Sequence, residues 1–268
     1  MRPAVAGTNM SPIEAWSRFR RALRAQKGSS NPVVRLGVRA LSAAHRLVLF
    51  GTSADHRSVT LTRFLSPDAI HQTSTVTWMD RYPGVFAACR DHLGAEREAR
   101  ILSFGCSTGE EVVTLRRYFP RATIVGAEIN ARMLGVCRQR PVDDRISFVR
   151  SEPGTVGGLG PYDAIFCMAV LQRTPDAVQR EGLRNLERIY PFERFDRQVR
   201  ELDGWLRPGG LLVIHHSHYR LEDSSIGHRY RALEGAQEAD PGIKFDRQSR
   251  RLDQVPAGGS TFVKGPAS

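Results

Sequence analysis

From about position 100 the chain alternates between two rhythms. Short apolar runs of strand type lie at Ile101–Phe104, Thr123–Ala127, Ile146–Val149, Ala164–Met168 and Leu211–His215. Between them lie stretches with helical spacing, Glu110–Tyr118 and Ala131–Arg140, and residues 175–206 read as helix in two pieces broken at Pro191. Residues 154–160 read as a glycine-rich loop and Leu206–Gly210 as a turn. Strands alternating with helices at this spacing predict an α/β fold with a doubly wound, mostly parallel sheet. Past the fifth run the pattern predicts a helix near 224–235, a short strand near Ile243–Phe245 and a last strand at Thr261–Val263, seven strands in all.

The first part of the chain reads differently. Residues 1–10 read as disordered, and Ser11-Pro12-Ile13-Glu14 is a capping-box signature for a helix with Ile13, Trp16, Phe19 and Leu23 on one face. Asn31-Pro32 opens a second helix, expected to reach Phe50 and to close on Gly51. Residues 52–70 read as polar and irregular, and Trp78–Leu93 as a helix leading into the first strand. The expected organisation is a basic helical extension over 1–70 and an α/β domain over 71–268.

Charge sharpens that division. The formal net charge is +11, yet residues 1–67 hold eleven basic residues against Glu14 and Asp55, a local net of +9. The basic helices over residues 11–50 therefore admit several readings: a helical lid or docking surface for a protein, a surface for an anionic membrane, an organellar targeting segment, or packed helices with solvated arginine faces. No apolar run approaches a membrane span, and Cys89, Cys106, Cys137 and Cys167 form no CxxC pair. Neither a zinc site nor a disulfide framework is expected, and a reducing, cytoplasmic setting is.

The chemistry concentrates in Arg100–Glu111, RILSFGCSTGEE. A strand, a tight small-residue turn and a helix in succession build an anion- and nucleotide-accepting crevice. Gly105 and Gly109 permit positive φ and close backbone approach. Glu128, nineteen positions past Gly109 and ending the second strand, faces the ribose hydroxyls of an adenosine ligand in such a fold. The chain has neither G-x-G-x-x-G nor the phosphate-loop string G-x-x-x-x-G-K-[ST].

With G-C-S-T-G, a second strand ending in Glu128, and L-R-P-G-G before LLVIH, residues 75–265 resemble a class I S-adenosylmethionine-dependent methyltransferase. The resemblance implies a Rossmann-like methyltransferase fold and S-adenosyl-L-methionine as cofactor. It assigns Phe104, Gly105, Cys106, Ser107, Gly109 and Glu110 to the methionine end. Glu128, Ile129 and Asn130 fall to the ribose and adenine, Ser151 and Glu152 to the adenine edge, and Met168 and Ala169 to the floor beneath the sulfonium. The chain departs from the family's acidic-x-G-x-G-x-G at Ser103 and Ser107, and Glu110 is the neighbouring acid considered for the missing one. S-T-G-E-E is similar to the loop of chemotaxis-receptor carboxyl methyltransferases.

Candidate catalytic groups follow the later strands. His215, His216 and His218 follow the fifth, and histidine titrates near neutrality. Strand alternation points His215 away from His216, so His216 and His218 are the preferred pair, with Gln172, Arg173 and Tyr219 toward the substrate. The leading expectation is methyl transfer to an unidentified acceptor, favoured as a small molecule. Protein-carboxyl or nucleic-acid methylation, and a non-catalytic cofactor-binding or membrane-surface role, stand as alternatives.

Overall fold

A computed structural model describes residues 26, 29–72, 75–234, 242–256 and 258–266. The expected disordered segment at 1–10 and the first amphipathic helix lie outside the described residues. The chain divides into two compact units, Met1–Thr60 and Leu61–Ser268.

In the first unit, Asn31 caps α1 (Pro32–Thr52) by accepting from the Val33 N–H, with Pro32 opening the helix. The helix runs through Gly51 and ends at Thr52, so Gly51 is not its closing residue. Arg35, Arg39, Ser42 and Arg46 line a groove of about 320 Å³ on it, while Val33, Leu36, Leu47 and Val48 are exposed. The stretch expected to be irregular holds a helix, α2 (Ala54–Leu65), most of whose apolar residues face solvent, which is why it carries little periodic signal.

The second unit is a seven-stranded sheet in the order β3-β2-β1-β4-β5-β7-β6. Its strands are β1 (Arg100–Phe104), β2 (Thr123–Glu128), β3 (Ile146–Arg150), β4 (Tyr162–Met168), β5 (Leu206–His215), β6 (Tyr230–Ala232) and β7 (Thr261–Lys264). The first five pair in parallel, and β7 lies antiparallel between β5 and β6. The helices are α3 (Pro83–Leu93), α4 (Glu110–Tyr118), α5 (Ala131–Arg138), α6 (Pro153–Gly158), α7 (Pro175–Arg180) and α8 (Phe192–Trp205). The central strands are buried on both faces. Ile101, Phe166 and Val213 pack on one side with Phe86 and Leu115, and Leu102, Ile165 and Leu212 on the other with Phe195 and Leu202.

Several expectations are corrected. The helix expected from Trp78 begins at Pro83, whose ring suits the first helical turn. The glycine-rich stretch 154–160 holds the short α6. Residues 181–190 are not helical, although Pro191 does mark the start of α8. Leu206-Arg207-Pro208-Gly209-Gly210 belongs to β5. Tyr162 pairs with Leu206 and Ala164 with Leu211, so Arg207–Gly210 bulge out of the ladder, and Gly209 takes φ +75°. The helix expected near 224 gives way to 3₁₀ turns at Leu221–Asp223 and Gly227–Arg229 and then to β6, its far end lying outside the described residues. The sixth strand is Tyr230–Ala232, not Ile243–Phe245, where Phe245 makes a single bridge to Arg251.

Residues 66–72 and 75–82 run along the carboxyl edge of the sheet. Arg194 in the first turn of α8 donates to the Pro67 and Ile70 carbonyls, the latter at 3.0 Å. Arg173, past β4, donates to the carbonyls of Ile70 (2.8 Å) and His71 (3.1 Å). Ser107 Oγ donates to Thr75 O at 2.9 Å, and Thr114 Oγ1 accepts from Asp80 N–H at 3.0 Å. The buried His71 anchors the segment, with Nδ1 2.6 Å from Tyr190 Oη and Nε2 3.0 Å from Gln198 Oε1. A neutral ring donating to Gln198 and accepting from Tyr190 satisfies both contacts.

Burial drives the His71 pKa down to about 4; the Gln198 bond opposes this, and the charges of Arg194, Arg173 and Arg197 add to it. His71 is therefore neutral in the fold and titrates near 6.5 when unfolded. Its contribution to stability is complete above pH 6.5 and is lost as pH falls toward 4, at about 1.4 kcal/mol per pH unit. Denaturant titrations from pH 7.5 to 4.5 should show this slope. His71→Asn should lower stability at pH 7.5 by roughly 1–3 kcal/mol, through the unpaired Tyr190 hydroxyl, and flatten the slope.

Candidate active site

The loop after β1 is held from below by β2. The N–H groups of Gly105 and Cys106 both donate to Ala127 O, at 2.8 and 3.1 Å, and Gly109 N–H closes the turn onto Cys106 O at 2.9 Å. Gly105 has φ +76°, and a Cβ there would lie 2.5 Å from a Val170 methyl, so neither conformation nor space admits a side chain. Gly109, with φ +91°, starts α4. Ser107 adopts φ +52°, the strained value that glycine would take at this point of the family pattern.

Glu128 ends β2 buried at the foot of this loop. Its Oε2 accepts from Ser107 N–H at 2.8 Å and its Oε1 from Asn130 N–H at 2.7 Å. Burial pushes its pKa up, while the bonds from Asn130, Ser107 and Ile129 pull it down. Each oxygen keeps acceptor capacity toward a diol. Asn130 caps α5, accepting from Arg132 and Met133 N–H. Ile129 is half-buried beside it. Ser151 N–H donates to Glu128 O, whereas Glu152 is exposed and pairs with Arg150 at 2.8 Å.

The two acids that open α4 part company. Glu110 pairs with Arg140 and accepts from Thr108 Oγ1 at 2.6 Å. Glu111 turns the other way and accepts from Ser103 Oγ at 2.7 Å. A carboxylate thus stands at the position where Ser103 leaves the family pattern, supplied by the helix instead of the strand. Desolvation raises the Glu111 pKa to about 7 against the opposing Ser103 bond and the nearby Arg81 charge. Arg81 lies 4.2 Å over the Trp78 ring and 5.1 Å from that of Tyr82. Glu111 and Arg81 escaped sequence reasoning, since neither fits the family's loop pattern; the second glutamate of S-T-G-E-E was the available signal.

Cys106 is buried, and its thiol is pushed well up by the Cys137 hydrogen bond and by burial, so it fills space under the loop. Met168 is buried in the same apolar cluster, Phe104 is buried in the cluster on the other face of the sheet, and Ala169, at φ +58°, donates its N–H to His215 O at 2.7 Å.

The histidines do not follow strand alternation. His216 has φ +55°, which ends β5 and breaks the two-residue period, so its ring and that of His215 both reach Tyr82, at 5.5 and 4.8 Å. Burial lowers the His215 pKa to about 3, with His216, Lys244 and Arg81 adding to the effect. His218 lies elsewhere, buried edge-on to Phe245, with Nε2 3.1 Å from Arg173 O and Nδ1 3.3 Å from Ile243 O. Tyr219 is buried, its hydroxyl donating to Tyr190 O at 2.6 Å, with Ser249 Oγ 3.0 Å away. Gln172, also buried, donates to Ala169 O at 3.3 Å.

Residues 101–192 match a family described as methyltransferase domain. A trans-aconitate 2-methyltransferase of Deinococcus radiodurans is 30% identical over 117 residues, 43% of this chain and 37% of that protein. One of Azoarcus sp. is 29% identical over 146 residues, 52% of this chain and 50% of that protein. A tRNA (guanine-N(7)-)-methyltransferase of Drosophila persimilis is 27% identical over 46% of this chain and 44% of that protein. The chain therefore spans half or less of the length of these relatives. Among solved structures, the S-adenosylmethionine-bound amino pentose methyltransferase CalS10 of Micromonospora echinaspora is 22% identical over 52% of this chain and 50% of that one, with a TM-score of 0.37. A sheet ordered 3-2-1-4-5-7-6, a glycine loop after β1 and a buried acid ending β2 accompany the match of residues 101–192 to the methyltransferase domain family.

Proposed function

We propose that the protein transfers a methyl group from S-adenosylmethionine to a small-molecule acceptor. The observation that carries this reading is the Gly105–Gly109 loop closed over the buried Glu128 at the point where strand order reverses, between β1 and β4. The residues fit the cofactor: Glu128 has acceptor capacity for two ribose hydroxyls, the first turn of α4 offers N–H groups to the methionine carboxylate, and Glu111 offers a carboxylate to its ammonium. S-adenosylmethionine supplies a methyl group on a sulfonium, displaced in line as the carbon–sulfur electron pair returns to sulfur. The protein's work is alignment and exclusion of water, and residues 66–72 and 75–82 along the carboxyl edge serve the second.

A small acceptor is favoured because two relatives are named trans-aconitate 2-methyltransferases. For an acceptor that must lose a proton, His216 is the histidine we place as base. The His218 nitrogens face backbone carbonyls, and His215 is held neutral. All four cysteines are free and buried, which supports a reducing, cytoplasmic setting. The arginine face of α1 is the surface we assign to an anionic partner.

The assignment of Glu111 predicts a pH effect. Below about pH 7 its carboxyl is protonated and cannot pair with an ammonium. Arg81 faces it, as does the buried Cys167 thiol, which desolvation keeps protonated and which Glu111 raises further. Cofactor affinity, measured calorimetrically with S-adenosylmethionine, should rise from pH 6 to pH 8. Glu111→Gln should abolish the rise and weaken binding by roughly tenfold or more, as loss of a charge-assisted bond does. An unchanged profile would remove Glu111 from the site.

Gly105→Ala tests the loop. Positive φ and the clash with Val170 should cost roughly 1–3 kcal/mol of loop geometry and lower cofactor affinity, with a much smaller change in melting temperature. Normal affinity in this variant would put the cofactor elsewhere.

A further inference from the structure

Two guanidinium groups converge on one carbonyl oxygen at the carboxyl edge of the sheet. Arg173 reaches Ile70 O at 2.8 Å and Arg194 reaches it at 3.0 Å. Like charges this close repel, and folded proteins ordinarily place a carboxylate between them. None is there: among the described residues no acid lies within ion-pair distance of either group, and their hydrogen-bond acceptors are backbone carbonyls alone. The charge of Asp68 acts on Arg194, while Arg63 and Arg197 add further positive charge around the pair. Burial, then Arg63 and Arg194, lowers the Arg173 pKa to about 10, which still leaves it cationic at neutral pH. The Nε of Arg194 is buried without a hydrogen-bond partner. An orphaned buried donor beside an unneutralised cation marks a place built for an acceptor that is not part of the chain.

Its location connects it with methyl transfer. Arg173 follows β4, the strand beside β1 at the switch point. Arg194 lies in the first turn of α8, which runs back along the sheet into β5 and so begins at the same carboxyl edge as the 105–109 loop. Backbone carbonyls hold each guanidinium by one part of its fork and leave other N–H groups to donate.

We propose that Arg173 and Arg194 form the recognition site for an oxyanion group, carboxylate or phosphate, on the small-molecule methyl acceptor. This rests on the methyltransferase reading and deepens it. The acceptor binds with its anionic end on the two arginines and its nucleophilic atom toward the cofactor loop. Segment 66–72 then has two tasks, orienting the guanidinium groups and bordering the acceptor.

The test is calorimetry with citrate, with inorganic phosphate, and with neutral glycerol, each on the full chain in the presence and absence of S-adenosylhomocysteine. Citrate or phosphate should bind and glycerol should not, and which anion binds identifies the oxyanion. Arg173→Gln and Arg194→Gln should each weaken that binding about ten- to hundredfold while leaving S-adenosylhomocysteine affinity within about twofold. Arg173→Lys, which keeps the charge and a donor, should recover part of the loss and guards against a folding artefact. Absence of anion binding alongside normal S-adenosylhomocysteine binding overturns the proposal alone. So does anion binding unaffected by both substitutions. Anion binding lost with Arg173→Gln in a protein that does not bind S-adenosylhomocysteine supports the arginine site and sinks the methyltransferase reading instead.

Discussion

The carboxylate of Glu128 joins three elements that would otherwise move apart. One oxygen takes the N–H of Ser107 in the loop after β1, and the other takes the N–H of Asn130, which caps α5. Ser107 sits at φ +52°, an unfavourable value for a residue with a Cβ. Its N–H bond to a buried acceptor offsets part of that strain, because leaving either group unpaired in the interior costs about 1–3 kcal/mol. The loop shape, the α5 cap and the end of β2 therefore rise and fall together. A ligand that takes up the remaining lone pairs of Glu128 bonds to a group whose position is already set, which keeps the ordering cost of binding low.

The stretch made of residues 66–72 and 75–82 extends this constraint along the sheet edge. It is tied to α8 through His71 and Arg194, to the end of β4 through Arg173, to the cofactor loop through Ser107, and to α4 through Thr114. The buried Ile70 and Tyr82 add apolar contacts, and the polar part of its hold depends on a neutral His71 amid positive charge. The edge that borders the crevice is accordingly the part of the domain most exposed to acid, while the apolar clusters on the two sheet faces carry stability that pH leaves unaltered.

The parallel strands were legible because strands buried on both faces read as continuous apolar runs, and the Gly105–Gly109 turn and the placement of Glu128 at the end of β2 were legible because they depend on local order and spacing. What escaped depends on contacts between distant residues. α2 keeps most of its apolar residues exposed and so has no clear period. The bulge at Arg207–Gly210 looks like a turn until its pairing with Tyr162 and Ala164 is known. Strand alternation failed at His216 because a single positive φ resets which way the following side chains point. Glu111 came to Ser103 across a strand, a turn and a helix start, a displacement that no motif expresses. The arginine pair exists only because residues 66–72, whose sequence shows no periodicity, bring the Ile70 carbonyl between β4 and α8.

Placed together, the charges give the crevice a polarity. Glu111 and Glu128 stand around the β1 and β2 ends, while Arg173 and Arg194 stand beyond β4 and at the start of α8. The proposed methyl donor would bring a sulfonium and an ammonium, which the acidic end favours; the anionic acceptor we propose would be drawn to the other. In the proposed reaction, methyl transfer would remove the sulfonium charge at the acidic end and leave the acceptor's anionic end on the arginines. The spent cofactor would then bind less tightly at the end that attracted the donor. The uncompensated arginine pair, a cost to folding, is in this light a means of turning the acceptor's far end toward the cofactor loop.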